Sequence, residues 1–134
     1  MKTQDSYRLR RGKMIVGYAQ PSKAGIQFCS KFLLFDKDIS QQFTQVDKSI
    51  GLLDVRNRPI YEHDMVLYKL NTSRVKHEGV IVYCTEKEVF GIRDLHSNHF
   101  TPLSIENLSL FANDRMEIFS HAFMHAPHKR SFFS

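Results

Sequence analysis

Apolar residues along this chain come in short runs broken by polar and turn-forming positions. That is the pattern of strands joined by tight turns. Residues 14–19 (M-I-V-G-Y-A) read as a strand, and residues 20–25, with Pro21 and Gly25, as the turn that ends it. In residues 26–35, Phe28, Phe32 and Phe35 fall at helical spacing, whereas Phe28, Phe32 and Leu34 fit a period of two; aromatic enrichment favours a strand. Residues 36–43 fit a short helix, with Ile39 and Phe43 one turn apart and Ser40, Gln41 and Gln42 on a wet side. Further on, residues 64–70 read as a strand, 71–74 as a polar turn, and 78–85 as a strand so continuously apolar that it belongs in the middle of a sheet. Residues 86–87 turn the chain, 89–93 form the next strand, and 94–100 form a loop. Ser104 and Asn107 suggest one helical turn at residues 105–108, and residues 116–119 a last strand.

The stretch I-G-L-L-D-V-R-N-R-P-I-Y-E-H-D-M-V, residues 50–66, organises this pattern. Gly51 permits a backbone that other residues resist, which predicts a first turn. Asp54 and Asn57 can bond their own backbone and hold a second. Pro59 fixes its own φ and drives Arg58 towards an extended conformation. Asp64 then precedes the apolar run of the next strand. Several short strands with short connections predict a β-rich α+β fold. The expected form is a small antiparallel SH3-like barrel or meander, with an N-terminal β/α segment and a short C-terminal element. The division expected is 1–45 for that segment, 46–119 for the core and 120–134 for an aromatic, histidine-rich tail.

The pattern at Gly51, Leu52, Asp54, Asn57, Pro59, Ile60, Tyr61, Glu62, Asp64 and Val66 resembles the YopX family of bacteriophage and prophage proteins. That family carries a tract like G-L-K-D-K-N-G-K-E-I-Y-E-G-D-I-V, followed by G-V-V and F-G-[IL] strands. Here those strands correspond to Gly79-Val80-Ile81-Val82-Tyr83 and Phe90-Gly91-Ile92. The likeness is close over residues 50–92 and loose elsewhere. His63 stands where the family has glycine, and Ser120-His121 where it has Gly-Asn. The resemblance implies Gly51, Asp54, Asn57, Pro59, Tyr61, Glu62, Asp64, Gly79 and Gly91 as structural motif positions. It carries no established activity.

A chain of 134 residues that is 42% hydrophobic, with eleven Phe and five Tyr, has material for one real core. No run approaches the ~18 apolar residues of a membrane-spanning helix, and the basic start lacks the apolar centre of a secretory signal. Cys29 and Cys84 sit singly in apolar segments, as buried thiols of a reducing cytoplasm do. The net charge of +5 is mildly basic and favours acidic partners without naming one.

Candidate chemistry is sparse. The chain has no G-x-S-x-G, no G-x-G-x-x-G and no phosphate loop of the P-loop type. His121, His125 and His128 have the spacing of a metal site on a helix, but Pro127 stops such a helix and no Glu follows His121; surface or subunit-contact histidines are the plainer reading. Glu62, His63 and Asp64 would serve acid–base chemistry only if two converged. In extended chain Glu62 and Asp64 share one side and His63 points away, and a backbone-bonding turn accounts for the run. No catalytic residue, metal or cofactor is therefore assigned.

Two basic groups remain as candidate nucleic-acid contacts: Arg8, Arg10, Arg11 and Lys13 near the start, and Lys69, Arg74 and Lys76, beside His77, around one turn. The first group can equally be a solvated end or the start of an edge strand, and ordinary surface charge explains both groups. Phe123, Phe132 and Phe133 make the tail too apolar to be free, which implies packing on the body or on a neighbouring subunit. The expected function is a cytoplasmic, non-enzymatic, self-associating module that contacts an unknown protein partner; the alternative is a nucleic-acid-binding accessory protein.

Overall fold

The computed structural model describes residues 6–22, 25–30 and 43–125. β1 (Tyr7–Arg11) turns at Gly12, whose φ of 64° lies in the left-handed region open to glycine, into β2 (Met14–Ser22). β2 runs past the turn expected at residue 20 and pairs with β3 (Gly25–Ser30), a strand as the aromatic pattern indicates. β4 (Gln45–Leu53) lies on the other flank of β1, and β5 (Pro59–Tyr61) beyond it, giving an antiparallel sheet of order β3-β2-β1-β4-β5. β1 is therefore the centre of this sheet, not a solvated end or an edge. The helix expected at residues 36–43 falls almost wholly outside the described residues.

β4 escapes a reading by hydrophobic period because its pattern is inverted. Asp47 and Ser49 point inward and are buried, while Val46 is exposed. Gly51 is in this strand rather than in a turn. Its φ of 82° accommodates the register shift between Ser49 and Leu53 against β5. β4 also crosses the division expected at residue 45, pairing with β1 from Tyr7↔Lys48 to Arg10↔Gln45.

The second sheet is a meander of β6 (Asp64–Tyr68), β7 (His77–Cys84), β8 (Val89–Asp94) and β9 (Phe100–Pro102). It is completed by β12 (Met116–His121), which returns beside β6. The order β12-β6-β7-β8-β9 puts β7 in the middle, as its apolar run predicts, and the sheet curls into a half-barrel. Ile60, Val66, Tyr68, Ile81, Ile92, Phe111 and Met116 form its buried core. A smaller cluster of Leu9, Val16 and Ala19 sits under the first sheet.

The helical turn expected at residues 105–108 is instead a small hairpin of β10 (Ser104–Ile105) and β11 (Leu108–Ser109). Glu106 and Asn107 both have positive φ, 51° and 70°, as a primed hairpin turn requires. β12 ends in a 3-10 turn, Ala122–Met124. Among the described residues no helix is long and apolar enough to cross a membrane.

Asp54 ties the long loop to the barrel. Its Oδ1 accepts from the backbone N–H of Arg56 and Arg58, each 2.9 Å away. Its Oδ2 accepts from the Arg58 guanidinium at 2.8 Å and from the Ile118 N–H of β12 at 3.1 Å. Burial of Asp54 works against its ionisation, yet these donors outweigh it and hold the carboxyl below the usual range.

Gly79 and Gly91 are required for space rather than for φ. A Cβ on Gly79 would run into Ile92 and Tyr68, and one on Gly91 into the Phe100 ring and the Thr101 carbonyl. Gly91→Ala should therefore lower unfolding free energy by about 1–3 kcal/mol, the ordinary cost of overpacking. Urea denaturation measures it; an unchanged midpoint would mean that β9 yields freely.

Candidate functional site

Arg8 and Arg10 project from one face of β1, because side chains two apart in a strand share a side. Asp47 stands directly opposite Arg8 on β4. Its Oδ2 accepts from Arg8 Nε at 2.9 Å and from Arg10 Nε at 2.8 Å, and its Oδ1 from Arg10 Nη2 at 2.9 Å. His63 Nδ1 lies 3.0 Å from the same Oδ1. Asp64, which opens β6, accepts from Arg8 Nη1 at 2.5 Å and lies 2.7 Å from His121 Nδ1 through Oδ1, while Oδ2 accepts from the Tyr61 N–H at 2.9 Å. Arg8 Nη2 donates to the Glu62 carbonyl at 3.0 Å. Since carboxylate oxygens only accept, both histidines present Nδ1–H to the cluster.

The cluster is dry. Arg8 is 2% exposed and Asp47 and Asp64 are 0% exposed. Aromatic rings cover it: the Arg10 guanidinium lies 4.2 Å from the Phe123 centroid, and Arg8 lies between Phe123 at 5.1 Å and Tyr61 at 5.0 Å. His121 stacks on Phe123 at 5.1 Å with an interplanar angle of 4°. Burial opposes ionisation of Asp47, but the bonds from His63, Arg10 and Arg8 prevail and hold its carboxyl far below the usual range.

Beside the cluster, a cleft of about 1080 Å³ is walled by Tyr18, Tyr61, Ile118, Phe119 and Met124. Ser120 Oγ lies 2.7 Å from His125 Nε2 at this cleft. Asp64 reaches the cleft, but its oxygens are bonded to Arg8, His121 and the Tyr61 N–H, so it is committed to holding the fold.

A second cleft, about 860 Å³, lies between the β6–β7 and β8–β9 loops and is lined by Lys76, His77, Glu78, Asp94, His96 and His99. Asp94 organises it. Its Oδ1 accepts from the N–H of His96 at 2.8 Å and of Ser97 at 2.9 Å, and its Oδ2 from the Tyr68 hydroxyl at 2.9 Å. The Ser97 bond, opposed by burial and joined by those of His96 and Tyr68, brings the Asp94 carboxyl down to about 2. Burial, then Asp94, pushes the Tyr68 phenol up.

The motif residues thus divide. Asp54, Tyr61 and Asp64 are buried, and Asn57, with φ of 64°, turns the loop before Pro59 opens β5. Glu62 contributes its carbonyl to Arg8. His63 does not point away as strand alternation implies. Its φ of 77° breaks the alternation and turns the ring onto Asp47.

The basic residues divide too. Arg8 and Arg10 are not surface contacts; they are consumed in buried ion pairs, because both faces of β1 are covered here, Leu9 between them being buried as well. Arg11 and Lys13 are exposed, as are Arg74 and Lys76, with Lys69 half-buried.

Sequence reading missed Asp47 altogether and did not join His63, His121, His96 or His99 to a cluster. The available signal was the alternation of Arg8 with Arg10 around Leu9, matched by Asp47 with Ser49 in a later segment. Cys84 is a half-buried free thiol, and the side chain of Cys29 lies outside the described residues, as do His128, Phe132 and Phe133. Among the described residues, no group of three His, Cys, Asp or Glu side chains is arranged to hold a metal ion. No protein-family model matches the chain, and a search of curated proteins finds no match.

Removing one partner of this buried network strands the other charges. Asp47→Ala should cost about 3–5 kcal/mol in chemical denaturation; a loss under about 1 kcal/mol would show the network to be incidental. For Asp94 the sign follows from the depressed folded pKa. The unfolded chain takes up the proton first, so its contribution is complete above the ordinary 3.8 and is lost as pH falls towards about 2. Asp94→Asn should flatten that limb of the stability–pH curve.

Proposed function

We propose that this protein is a non-enzymatic, self-associating interaction module of the YopX kind, encoded by a phage or prophage and acting by contact in the host cytoplasm. The observation that carries the reading is the use of the motif acids. Asp54 and Asp64, the two aspartates of the tract, direct their oxygens at turn amides, guanidinium groups, His121 and the N–H of β12. They serve as fold fasteners.

Two backbone positions add support for the kinship. Asn57 and His63 align with the two inner glycines of the family tract, and both lie in the left-handed region at φ 64° and 77°. Glycine is the residue that geometry favours, so the tract and this backbone are mutually consistent.

Self-association draws on exposed apolar surface. Leu108 is 72% and Ile105 53% exposed at the β10–β11 hairpin. Tyr83 and Val89 are exposed at the end of the β7–β8 hairpin, where Tyr83 packs edge-on to Phe90 at 4.9 Å. Such residues are better covered by a second copy than left in water.

Size-exclusion chromatography with light scattering should return a multiple of the 15.7 kDa chain mass. Leu108→Asp and Tyr83→Asp should shift it towards the monomer. A strict monomer at tens of micromolar would overturn the self-association.

A further inference from the structure

We infer that Lys69, Arg74 and Lys76, with the imidazoles of His77, His96 and His99, form a docking surface for the phosphodiester backbone of a nucleic acid. This names one partner of the module proposed above and rests on the reading that it acts by contact.

The first support is the state of the cations. Arg8, Arg10, Arg56, Arg58 and Arg115 are held by carboxylates or carbonyls of the fold. Lys69, Arg74 and Lys76 have no side-chain partner among the described residues. Their charge can meet a ligand without breaking an internal pair.

The second support is rigidity on both sides. In the β6–β7 loop the Ser73 N–H donates to the Leu70 carbonyl at 3.0 Å, the Val75 N–H to Ser73 Oγ at 3.0 Å and the Asn71 N–H to the Leu110 carbonyl at 3.2 Å. The Arg115 guanidinium donates to the carbonyls of Leu70 and Ser73. Across the cleft, Asp94 holds the loop that carries His96 and His99, and the Asp94 N–H donates to the His99 carbonyl at 2.8 Å. The backbone that carries these cations and donors is already ordered, so binding costs side-chain freedom but not loop freedom.

The third support is the layout. Lys76 lies on the rim shared by the 860 Å³ cleft and a smaller hollow lined by Lys69. Lys69 and Lys76 stand at two adjoining depressions with Arg74 on the same loop, a spread that suits a linear polyanion better than a single compact anion. Of the four carboxylates that line the two depressions, Glu78 Oε1 lies 3.1 Å from His96 Nε2, Asp94 serves Tyr68 and its own loop, and Glu117 lies 3.4 Å from Arg56 Nη2, while Asp114 stands exposed at the Lys69 hollow. Tyr68, the phenol of the cleft lining, is buried, and the groups left exposed there are cations and imidazoles, which meet phosphate oxygens without reading base edges. The contact is therefore with backbone phosphates and is independent of sequence.

The test is fluorescence anisotropy of the full chain with an end-labelled single-stranded DNA, its duplex and the matching RNA, starting at about 50 mM salt. Three phosphate contacts predict roughly a 20–40-fold weakening between about 50 and 200 mM salt. The triple variant Lys69→Glu, Arg74→Glu, Lys76→Glu should lose binding by tenfold or more, on the order expected for three lost phosphate contacts. A control with charge reversal at exposed Lys48 and Lys87 should stay within about threefold of the parent, the scale of a diffuse field effect. Circular dichroism checks that both variants fold. No binding of any probe at low salt, or equal loss in the two variants, overturns the inference. Light scattering on the same samples keeps the readings apart: an oligomer that binds no probe sinks only the docking surface, and a monomer that binds sinks only the self-association.

Discussion

A carboxylate with no water around it must be given donors, and the fold is arranged to supply them to Asp47. Two guanidinium groups from alternate positions of β1 close on it, and Arg8 continues to Asp64, so that two buried cations face two buried anions. The residues concerned come from β1, β4, the opening of β6 and the end of β12, with Arg8 and His121 separated by 113 positions. The first sheet, the curled sheet and the C-terminal turn are held together at this point. The rings of Phe123 and Tyr61 lie over the two guanidinium groups and limit their contact with solvent, which strengthens each pair.

The same device recurs at smaller scale. Asp54, Asp64 and Asp94 each use one oxygen to hold backbone amides of a tight turn and the other to bind something distant or across the sheet. For Asp54 the distant group is β12, for Asp64 it is Arg8 and His121, and for Asp94 it is the Tyr68 hydroxyl. Short strands bury little surface each, so loops positioned by an ionised side chain contribute a large part of the specificity. Local turn chemistry and tertiary fastening are the same bond set in this protein.

This division of labour bears on function. Asp47, Asp54, Asp64 and Asp94, with Arg8 and Arg10, are directed inward and serve the fold. The lysines, Arg74 and the histidines of the second cleft are directed outward on loops that are already ordered. Among the apolar side chains left outside, Ile105 and Leu108 stand on one hairpin and Tyr83 and Val89 on another. The outside of this β scaffold thus carries a basic loop surface, exposed apolar side chains and two clefts.

Much of the curled sheet was legible in the chain. The apolar run of β7, the turns at residues 71–74 and 86–87, and the launch of β6 by Asp64 follow from period and turn chemistry, which are local properties. What no local rule could give is the inward placement of Asp47 and Ser49, the central position of β1, and the turning of His63 onto a carboxylate. A polar residue reads as solvent-facing until its partner is known, and those partners lie tens of residues away. The left-handed Glu106 and Asn107 likewise follow from closing a hairpin rather than from any preference of Glu. The chain by itself determined the main strands of the curled sheet, β6, β7, β8 and β12, and the turns that join the first three. Only the assembled sheets decided which charges are buried, because burial of a charge becomes affordable solely when opposite charges from distant strands arrive with it.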